Sequence, residues 1–381
     1  MNALSRPLSL PVWLLAWVAL GVAWWTWRLE PAVRPQVDND VQCYAEAARA
    51  IREGRSPYQE GERCYLYPPA LALGLSLLPD PAPLDRARLA FWLNTAASLG
   101  VVVTLPLAAG LGRQPLGLLS AFWLFSPVTL GSIGTGNIAI WVAWLPLLAL
   151  IGLRRAPIPA GLLLGAATLL KTMPGIYLVF LVAAALRHRE SSLARAAMAG
   201  LLVAAGSLLL PHTEEFLRLS GGQVDLHARE VRNFSLVSLA WWTFGGEPPS
   251  PWPALAAGIL AAWMLGWRRR PGTRRDPVPE WALLGTLVHA CAPIAWTMSF
   301  PQVFLAGMLL VRQGAQGAFV AGRGPSAAAI HWGTTALVAG VSAFPALFWT
   351  PRWPFLALVP TLVPLAAVLL VVRQNEMPPP R

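Results

Sequence analysis

Charged residues are scarce in this chain, at 12% of 381 residues, whereas hydrophobic residues make up 56%. Soluble domains carry roughly a quarter charged residues, so the composition excludes an ordinary soluble protein and predicts a polytopic membrane protein. The chain also lacks a repeat of fixed period and any polar region large enough for a soluble domain. We therefore expect residues 1–381 to form a single integral membrane domain.

Apolar runs recur along the chain and predict twelve membrane spans, since about 20 helical residues cross the hydrocarbon core. They lie near residues 8–28, 89–110, 115–133, 137–153, 157–170, 174–187, 196–211, 251–268, 279–297, 299–312, 328–349 and 354–372. The first run could be a signal peptide, but Trp24, Trp25 and Trp27 fit an interfacial aromatic belt better than a cleaved end. We interpret it as a retained span.

Basic residues are unevenly divided by this topology. One face receives 16 of them with four acidic residues, and the other receives 13 with 14 acidic residues. The positive-inside rule places both termini in the cytoplasm and two long loops, 28–88 and 212–250, outside it. The net charge of +11 thus indicates multi-pass insertion in the cell (plasma) membrane and not a nucleic-acid partner.

The chain has only three cysteines. Cys43 and Cys64 both lie in the first outer loop, where an oxidising compartment would allow a disulfide bond. Two unrelated free thiols are the alternative. Cys291 lies in an apolar span and is expected to be a packing residue.

The first outer loop combines carboxylates with a helical pattern. The apolar positions between Tyr44 and Ile51 have helical spacing and predict an amphipathic helix over 41–54, lying along the membrane surface and ended by Gly54. Asp38 and Asp40 precede this helix and could cap its N-terminus. The apolar segment 70–78 is too short to span, so we expect it to re-enter the membrane or lie flat.

Lysine is almost absent, because Lys171 stands alone beside 28 arginines. It interrupts the apolar stretch 160–186, which is too long for one span and adequate for two short ones. Pro174 favours the start of a new helix, so Lys171 is predicted to lie at an outer-surface break. A cation beside a helix N-terminus favours phosphate. A lysine that merely snorkels at a helix end is the alternative.

Short motifs occur in a distinctive order along the chain. They are Asp40-x-x-x-Tyr44-x-x-Ala47-Ala48, Gly54-x-x-Pro57-Tyr58, Tyr67-Pro68-Pro69, Gly136-Asn137, Lys171-x-x-Pro174, Asn233-x-Ser235 and Pro293-x-x-Trp296. This order resembles glycosyltransferase family 87, the polyprenyl-phosphate-sugar-dependent membrane transferases similar to phosphatidylinositol mannoside mannosyltransferases. The resemblance covers nearly the whole chain. It implies a GT-C-type bundle of about 10–12 transmembrane helices, with amphipathic helices in the first outer loop.

The resemblance also implies a reaction. A hexose, with mannose as one candidate, would pass from a polyprenyl-phosphate donor to a hydroxyl of a lipid or glycan acceptor on the outer face, with inversion. Asp40 best matches the family's general base, and Asp38 is the second choice. Lys171 falls where the donor phosphate needs neutralising, and Arg229 and Arg232 could share that task. No cofactor is implied, although the outer carboxylates leave room for a divalent metal.

Further polar and aromatic positions within these motifs are candidates for substrate binding, namely Tyr58, Tyr67, Asn137, Asn233, Ser235 and Trp296. His289, about two helical turns before Trp296, is a further candidate because it could compensate for a histidine that the family usually carries. The structural alternatives are belt positions for the aromatic residues, helix caps for the asparagines and a buried packing role for the histidine. The chain departs from the family's Ser-Trp-x-His motif, because Ala295 and Met298 replace the serine and the histidine, and Asn137 replaces a usual glutamine.

A carrier of lipid-linked sugars, such as a flippase or a transporter on a similar scaffold, is the rival hypothesis. Transporters often show internal repeats and place charges near the bilayer midplane. This chain has no evident repeat, and its carboxylates cluster in the outer loops. The sequence therefore favours the glycosyltransferase.

Overall fold

The computed structural model describes residues 40–58, 65–109, 123–124, 126–219, 235–236, 252–268, 277–292, 303–315, 331–338, 341 and 359–376. These residues form helices and turns, without a strand among them. The helices are α1 (Asp40–Arg52), α2 (Pro69–Ser76), α3 (Pro83–Ala108), α4 (Pro127–Thr135), α5 (Ala139–Gly152), α6 (Pro157–Leu170), α7 (Gly175–His188), α8 (Ser191–Gly206), α9 (Trp252–Arg268), α10 (Val278–Cys291), α11 (Phe304–Ala315) and α12 (Val359–Glu376). The predicted all-helical class is confirmed.

Two of the described helical segments are long and apolar enough to cross a membrane alone. They are α3 and the segment Ser191–Leu209, in which a 3₁₀ turn extends α8. Helices α6 and α7 have 14 residues each and so rise only about 21 Å, less than the hydrocarbon thickness. A membrane-spanning architecture is thus supported in part, and the number of twelve spans stays a prediction. The predicted first span, 8–28, lies outside the described residues.

Proline positions explain where several helices begin. Four helices, α2, α3, α4 and α6, start with a proline as their first residue. Proline has no amide hydrogen to lose at this position, and its fixed φ suits the first turn. Between α4 and α5 the chain bends by 115°. The chain therefore changes direction sharply near Gly134, while the outer turn between two spans stays a prediction.

Helices α6 and α8 approach each other closely through small residues. A Cβ atom added to Gly161 would lie 2.0 Å from the carbonyl oxygen of Ala196, and one on Gly200 would lie 2.9 Å from that of Gly161. Close backbone contact through small residues is typical of helix pairs in membranes, where no water is left to drive association. Helix α3 exposes large apolar residues, among them Trp92 and Leu107, as a lipid-facing helix would.

Most buried side chains belong to one core, to which helices from α3 to α12 along the chain contribute. It includes Phe180 and Trp281. A second, smaller core forms where α1, α2 and the α4–α5 bend meet. It contains the residues that we call the tyrosine cluster, namely Tyr44, Tyr58, Tyr65 and Tyr67 with Ala47, Ala72 and Ile138. This small core positions the candidate site.

The first outer loop contains the predicted amphipathic helix. Helix α1 has the predicted apolar face, and Gly54 follows its end with a positive φ of 71°. That face packs within the tyrosine cluster, so protein covers it, while its position along the membrane surface stays a prediction. Helical periodicity shows that a face must be covered, but it does not distinguish lipid from protein.

Candidate active site

Four of the five tyrosines in the chain pack together in the small core. Their ring centroids are 5.3 to 6.4 Å apart in edge-on and tilted arrangements, which aromatic pairs prefer. Each is at most 9% exposed. Tyr58 and Tyr67, predicted to bind substrate, are therefore part of a packed scaffold, and neither is an exposed belt residue.

Hydrogen bonds within the tyrosine cluster fix the turn that leads into α2. The Tyr58 hydroxyl donates to the Tyr67 carbonyl at 2.7 Å, and the Tyr65 hydroxyl donates to the Pro68 carbonyl at 2.7 Å. Tyr65 also accepts the backbone N–H of Ala72 at 3.0 Å. Burial raises the pKa of the Tyr65 hydroxyl, so it stays protonated and continues to donate.

Asp40 lies at the first position of α1 and points its carboxylate at the α4–α5 bend. Asn137 Nδ2 donates to Asp40 Oδ2 at 3.0 Å and to the Tyr67 hydroxyl oxygen at 3.1 Å. Asn137 Oδ1 accepts the backbone N–H of Ala139 at 2.8 Å. Because a backbone N–H can only donate, this bond determines the orientation of the amide and places its two hydrogens on Asp40 and Tyr67.

Burial and polar contacts have opposite effects on the pKa of the Asp40 carboxyl. Burial raises the pKa of its carboxyl, while hydrogen bonds from Asn137 and Thr135 and the charge of Lys171 oppose that rise. A carboxyl with a raised pKa holds a proton more readily and suits a general base. The predicted N-cap role is wrong for Asp40, since it is itself helical and its carboxylate is engaged by the bend.

Lys171 reaches the same place from another part of the chain. It follows α6 in an extended conformation, and α7 starts four residues later at Gly175, so the predicted break in the apolar stretch is confirmed. Burial lowers the pKa of its ammonium group to about 8, and the charge of Asp40 opposes that fall. Lys171 and Asp40 are thus close enough for their charges to interact, although they are far apart in sequence.

Gly136 explains why the bend can come so close to α1. It caps α4 in the left-handed region, with φ of 73°. A Cβ atom at this position would lie 2.0 Å from Val41 Cγ2, which is far inside van der Waals contact. The Gly136-Asn137 motif therefore combines a residue without a side chain, which permits the approach, with an amide that contacts Asp40.

Sequence reasoning missed four residues of this site, Asn94, Thr135, Tyr44 and Ser56. Asn94 on α3 is 3% exposed and hydrogen-bonded to both sides of the bend. Its signal was present, because an asparagine within the predicted span 89–110 is a polar residue in an apolar helix. Tyr44 accepts the backbone N–H of Ile138 at 3.3 Å. Periodicity marked Tyr44 only as an apolar position of α1.

The first outer loop also contacts the start of the second one. The Ser56 hydroxyl donates to the Glu215 carboxylate, and His212 Nδ1 lies 3.5 Å from Glu215 Oε2. The ring of Phe216 packs on Tyr58, with 6.0 Å between centroids. Segments that the charge distribution placed on one face of the membrane therefore meet at one end of the helices.

The other predicted residues lie outside the tyrosine cluster or outside the described ranges. His289 is fully buried in α10, which packs mainly on α11 and α12. Ser235 is also buried, next to Leu236, which packs on the main core. Cys43 is disulfide-bonded and Cys291 is free, while the pairing of Cys43 with Cys64 stays a prediction. The predicted residues outside the described ranges are Asp38, Cys64, Arg229, Arg232, Asn233 and Trp296.

The arrangement offers acid–base chemistry and anion neutralisation. Asp40 can accept a proton, and Lys171 can offset negative charge that develops nearby. Within the described ranges, no three His, Cys, Asp or Glu side chains lie close enough together to hold a metal ion.

Comparison with known proteins bears on what this chemistry acts upon. The family model for glycosyltransferase family 87 matches residues 65–293, more than half of the chain. The match includes Tyr67, Asn137 and Lys171, while Asp40 precedes it. The chain is also similar to the polyprenol-phosphate-mannose-dependent alpha-(1-2)-phosphatidylinositol mannoside mannosyltransferase of Mycobacterium tuberculosis (strain ATCC 25618 / H37Rv). The two are 27% identical over 345 residues, which cover 78% of this chain and 76% of the relative. The protein belongs to glycosyltransferase family 87 and is a membrane glycosyltransferase.

Proposed function

We propose that this glycosyltransferase moves a hexose, with mannose as the first candidate, from a polyprenyl-phosphate-linked donor to a hydroxyl of a lipid or glycan acceptor. Transfer takes place on the outer face of the membrane and inverts the anomeric centre. The observation that carries the proposal is that the Asp40 carboxylate, held by Asn137 at the α4–α5 bend, lies close enough to Lys171 for their charges to interact, and that Leu170 packs on the tyrosine cluster. The mycobacterial relative is by name polyprenol-phosphate-mannose-dependent, which supports the choice of donor.

Asp40 acts as the general base. Its carboxylate removes the proton from the acceptor hydroxyl as the hydroxyl oxygen attacks the anomeric carbon of the donor sugar. Asn137 and Thr135 hold the carboxylate by hydrogen bonds. Positioned general bases contribute roughly 10²–10⁴-fold to such steps.

Lys171 stabilises the leaving group. As the bond between the anomeric carbon and the phosphate oxygen breaks, its electron pair stays on that oxygen, and polyprenyl phosphate departs as an anion. A phosphate needs no proton to leave, so neutralising its charge matters more than protonating it. Arg229 and Arg232, which lie outside the described residues, are proposed to share this task.

The outer-face location is supported by the charge distribution. Helices α5 and α6 are joined at Arg154 and Arg155, and Arg187 lies in the last turn of α7, which Arg189 caps. These arginines lie at the helix ends opposite to the bend and to Lys171. Because basic turns are retained in the cytoplasm, the opposite end, with Asp40, faces out.

The test uses membranes that contain the full chain and polyprenyl-phosphate-[¹⁴C]mannose, with label counted in the lipid and glycan fractions. We expect Asp40→Asn to lower transfer by about 10²–10⁴-fold, because asparagine keeps the shape of the side chain but cannot act as the base. Lys171→Gln is expected to lower transfer by about 10²–10³-fold, the usual effect of losing one stabilising group.

Asp85→Asn is the matched control, since Asp85 is an exposed carboxylate in the first turn of α3 and, among the described residues, pairs only with Arg88, at 3.4 Å. It should leave transfer within about twofold of the unmodified chain, because exposed ion pairs contribute little. If Asp40→Asn transfers normally while Asp38→Asn does not, Asp38 is the base. If neither change matters and label only crosses the membrane on its original lipid, the carrier hypothesis replaces the transferase.

A further inference from the structure

Asn94 is buried, and both the nitrogen and the oxygen of its side-chain amide form hydrogen bonds. Its Nδ2 donates to the Ser132 carbonyl at 2.9 Å and to the Asn137 carbonyl at 3.0 Å. Its Oδ1 accepts the indole N–H of Trp141 at 3.0 Å. The indole nitrogen can only donate, so the orientation of the amide is determined. Every hydrogen-bonding atom of the side chain is therefore engaged.

These bonds hold the two sides of the α4–α5 bend. Ser132 lies in the last turn of α4, and its carbonyl also accepts the backbone N–H of Asn137 at 3.0 Å. Carbonyls at a helix end have no partner within the helix, and an apolar environment offers no water to replace one. Asn94, from α3, adds a second donor to the Ser132 carbonyl and donates to the Asn137 carbonyl. It thereby fixes the backbone of Asn137 relative to α3.

The backbone of Asn137 in turn determines where its side chain points. Since Asn137 Oδ1 is held by the N–H of Ala139, the two hydrogens on Nδ2 are directed at Asp40 and Tyr67. Asn94 does not itself contact the Asp40 carboxylate through any of its three bonds. A shift of the bend would nevertheless move Asn137 Nδ2, which donates a hydrogen bond to the Asp40 carboxylate.

We propose that Asn94 is a positioning residue for sugar transfer, which acts through Asn137 to hold the Asp40 carboxylate in its working orientation. This inference rests on the proposed function, in which Asp40 is the general base. Loss of Asn94 should lower kcat and change KM for the donor little, because Lys171 lies on a different segment. Misplacement of a reacting group by about 1 Å can cost up to about 10²-fold in rate.

The experiment compares the unmodified chain with Asn94→Ala, Asn137→Ala and the double variant in the mannose-transfer assay, at several pH values. We expect Asn94→Ala to lower kcat by about 10- to 100-fold. The double variant should be no slower than Asn137→Ala alone, since both changes remove the same arrangement. The acid limb of the pH profile should move to higher pH, because the Asn137 hydrogen bond opposes the rise in the pKa of Asp40.

Ser98→Ala is the matched control, because Ser98 is 1% exposed on the same helix and its hydroxyl donates only to the carbonyl of Asn94 at 2.7 Å. It should leave kcat and the pH profile unchanged. Trp141→Phe provides a milder second variant if Asn94→Ala does not fold. It removes the indole N–H that holds the Asn94 amide while keeping an aromatic ring at this position, and it should shift the acid limb in the same direction.

Hydrogen exchange provides a readout that does not depend on activity. The amides of Ile138 and Ala139 donate to Tyr44 and Asn137, so a peptide spanning 132–141 should exchange faster in Asn94→Ala but not in Ser98→Ala. Unchanged exchange, additive losses of kcat or an unmoved acid limb would each overturn the positioning role. An inactive unmodified chain would overturn the proposed function alone, and exchange would still decide whether Asn94 orders the bend.

Discussion

Replacement of Gly136 by alanine should separate two costs that the structure assigns to this position. The first is conformational, because φ is 73° and an L-residue in the left-handed region is destabilised by about 1–2 kcal/mol. The second is steric, because the new Cβ atom would lie 2.0 Å from Val41 Cγ2. Overpacking of this kind costs about 1–3 kcal/mol. We therefore expect a loss of about 2–5 kcal/mol in the free energy of unfolding.

Removal of Val41 Cγ2 distinguishes the steric cost from the conformational cost. Val41→Ala deletes Cγ2, so Gly136→Ala combined with Val41→Ala should retain the conformational cost and lose the steric one. The free energy of unfolding in mixed micelles, titrated with dodecyl sulfate, provides the measurement. The double variant should be more stable than the sum of the single changes predicts, by about 1–3 kcal/mol.

Gly134→Ala is the control for this cycle. Gly134 lies within α4, its φ is not positive, and an added Cβ atom would meet nothing within 4 Å. Alanine there should be neutral or stabilise the helix by about 0.5–1 kcal/mol. If the effects of Gly136→Ala and Val41→Ala are simply additive, α1 and the bend do not touch as described. The contact between Asp40 and Asn137 would then also be in doubt.

Two further predictions concern the acid–base groups and the tyrosine cluster. Transfer should fall at low pH as Asp40, whose pKa burial raises, becomes protonated, and at high pH as Lys171, with a pKa of about 8, loses its proton. The rate–pH profile should therefore be bell-shaped, and Lys171→Arg should move its alkaline limb upward; a limb that stays in place would assign it to another group. Tyr65→Phe should lower the free energy of unfolding by about 1–3 kcal/mol, because the Pro68 carbonyl and the Ala72 N–H lose a buried partner. Unchanged stability in the same micelle titration would contradict this.

Local signals in the sequence predicted the parts of the fold that depend on neighbouring residues. The break at Lys171 follows from Pro174 and from the length of the apolar stretch, and α6 begins and ends at the predicted residues 157 and 170. The apolar face of α1 follows from its periodicity. Each of these features is decided within one or two helical turns, so no knowledge of distant segments was needed.

The candidate site depends on contacts between distant segments and could be predicted only in part. The motifs included Asp40, Asn137 and Lys171, but no periodicity indicated that Asn137 would donate to Asp40. Asn94 stood out as a polar residue in an apolar span, but its partners, two backbone carbonyls and the Trp141 indole, could not be read from the sequence. Four tyrosines are an unremarkable number until the fold brings them together. The packing of α1 on protein instead of lipid has the same origin.

The contacts at the site determine how the helices between Asn137 and Glu215 alternate in direction. Asp40 interacts with Asn137 and with Lys171, and Ser56 interacts with Glu215, so all these positions lie at one end of the helices. An even number of helices must then separate successive positions. Two helices, α5 and α6, lie between Asn137 and Lys171, and two more, α7 and α8, lie between Lys171 and Glu215. Helices α6 and α7 are too short to qualify singly as spans, yet each pair carries the chain away from the site and back. The four predicted spans between residues 137 and 211 also run in alternating directions. If any one of them were removed, Asn137 and Glu215 would lie at opposite ends of the helices.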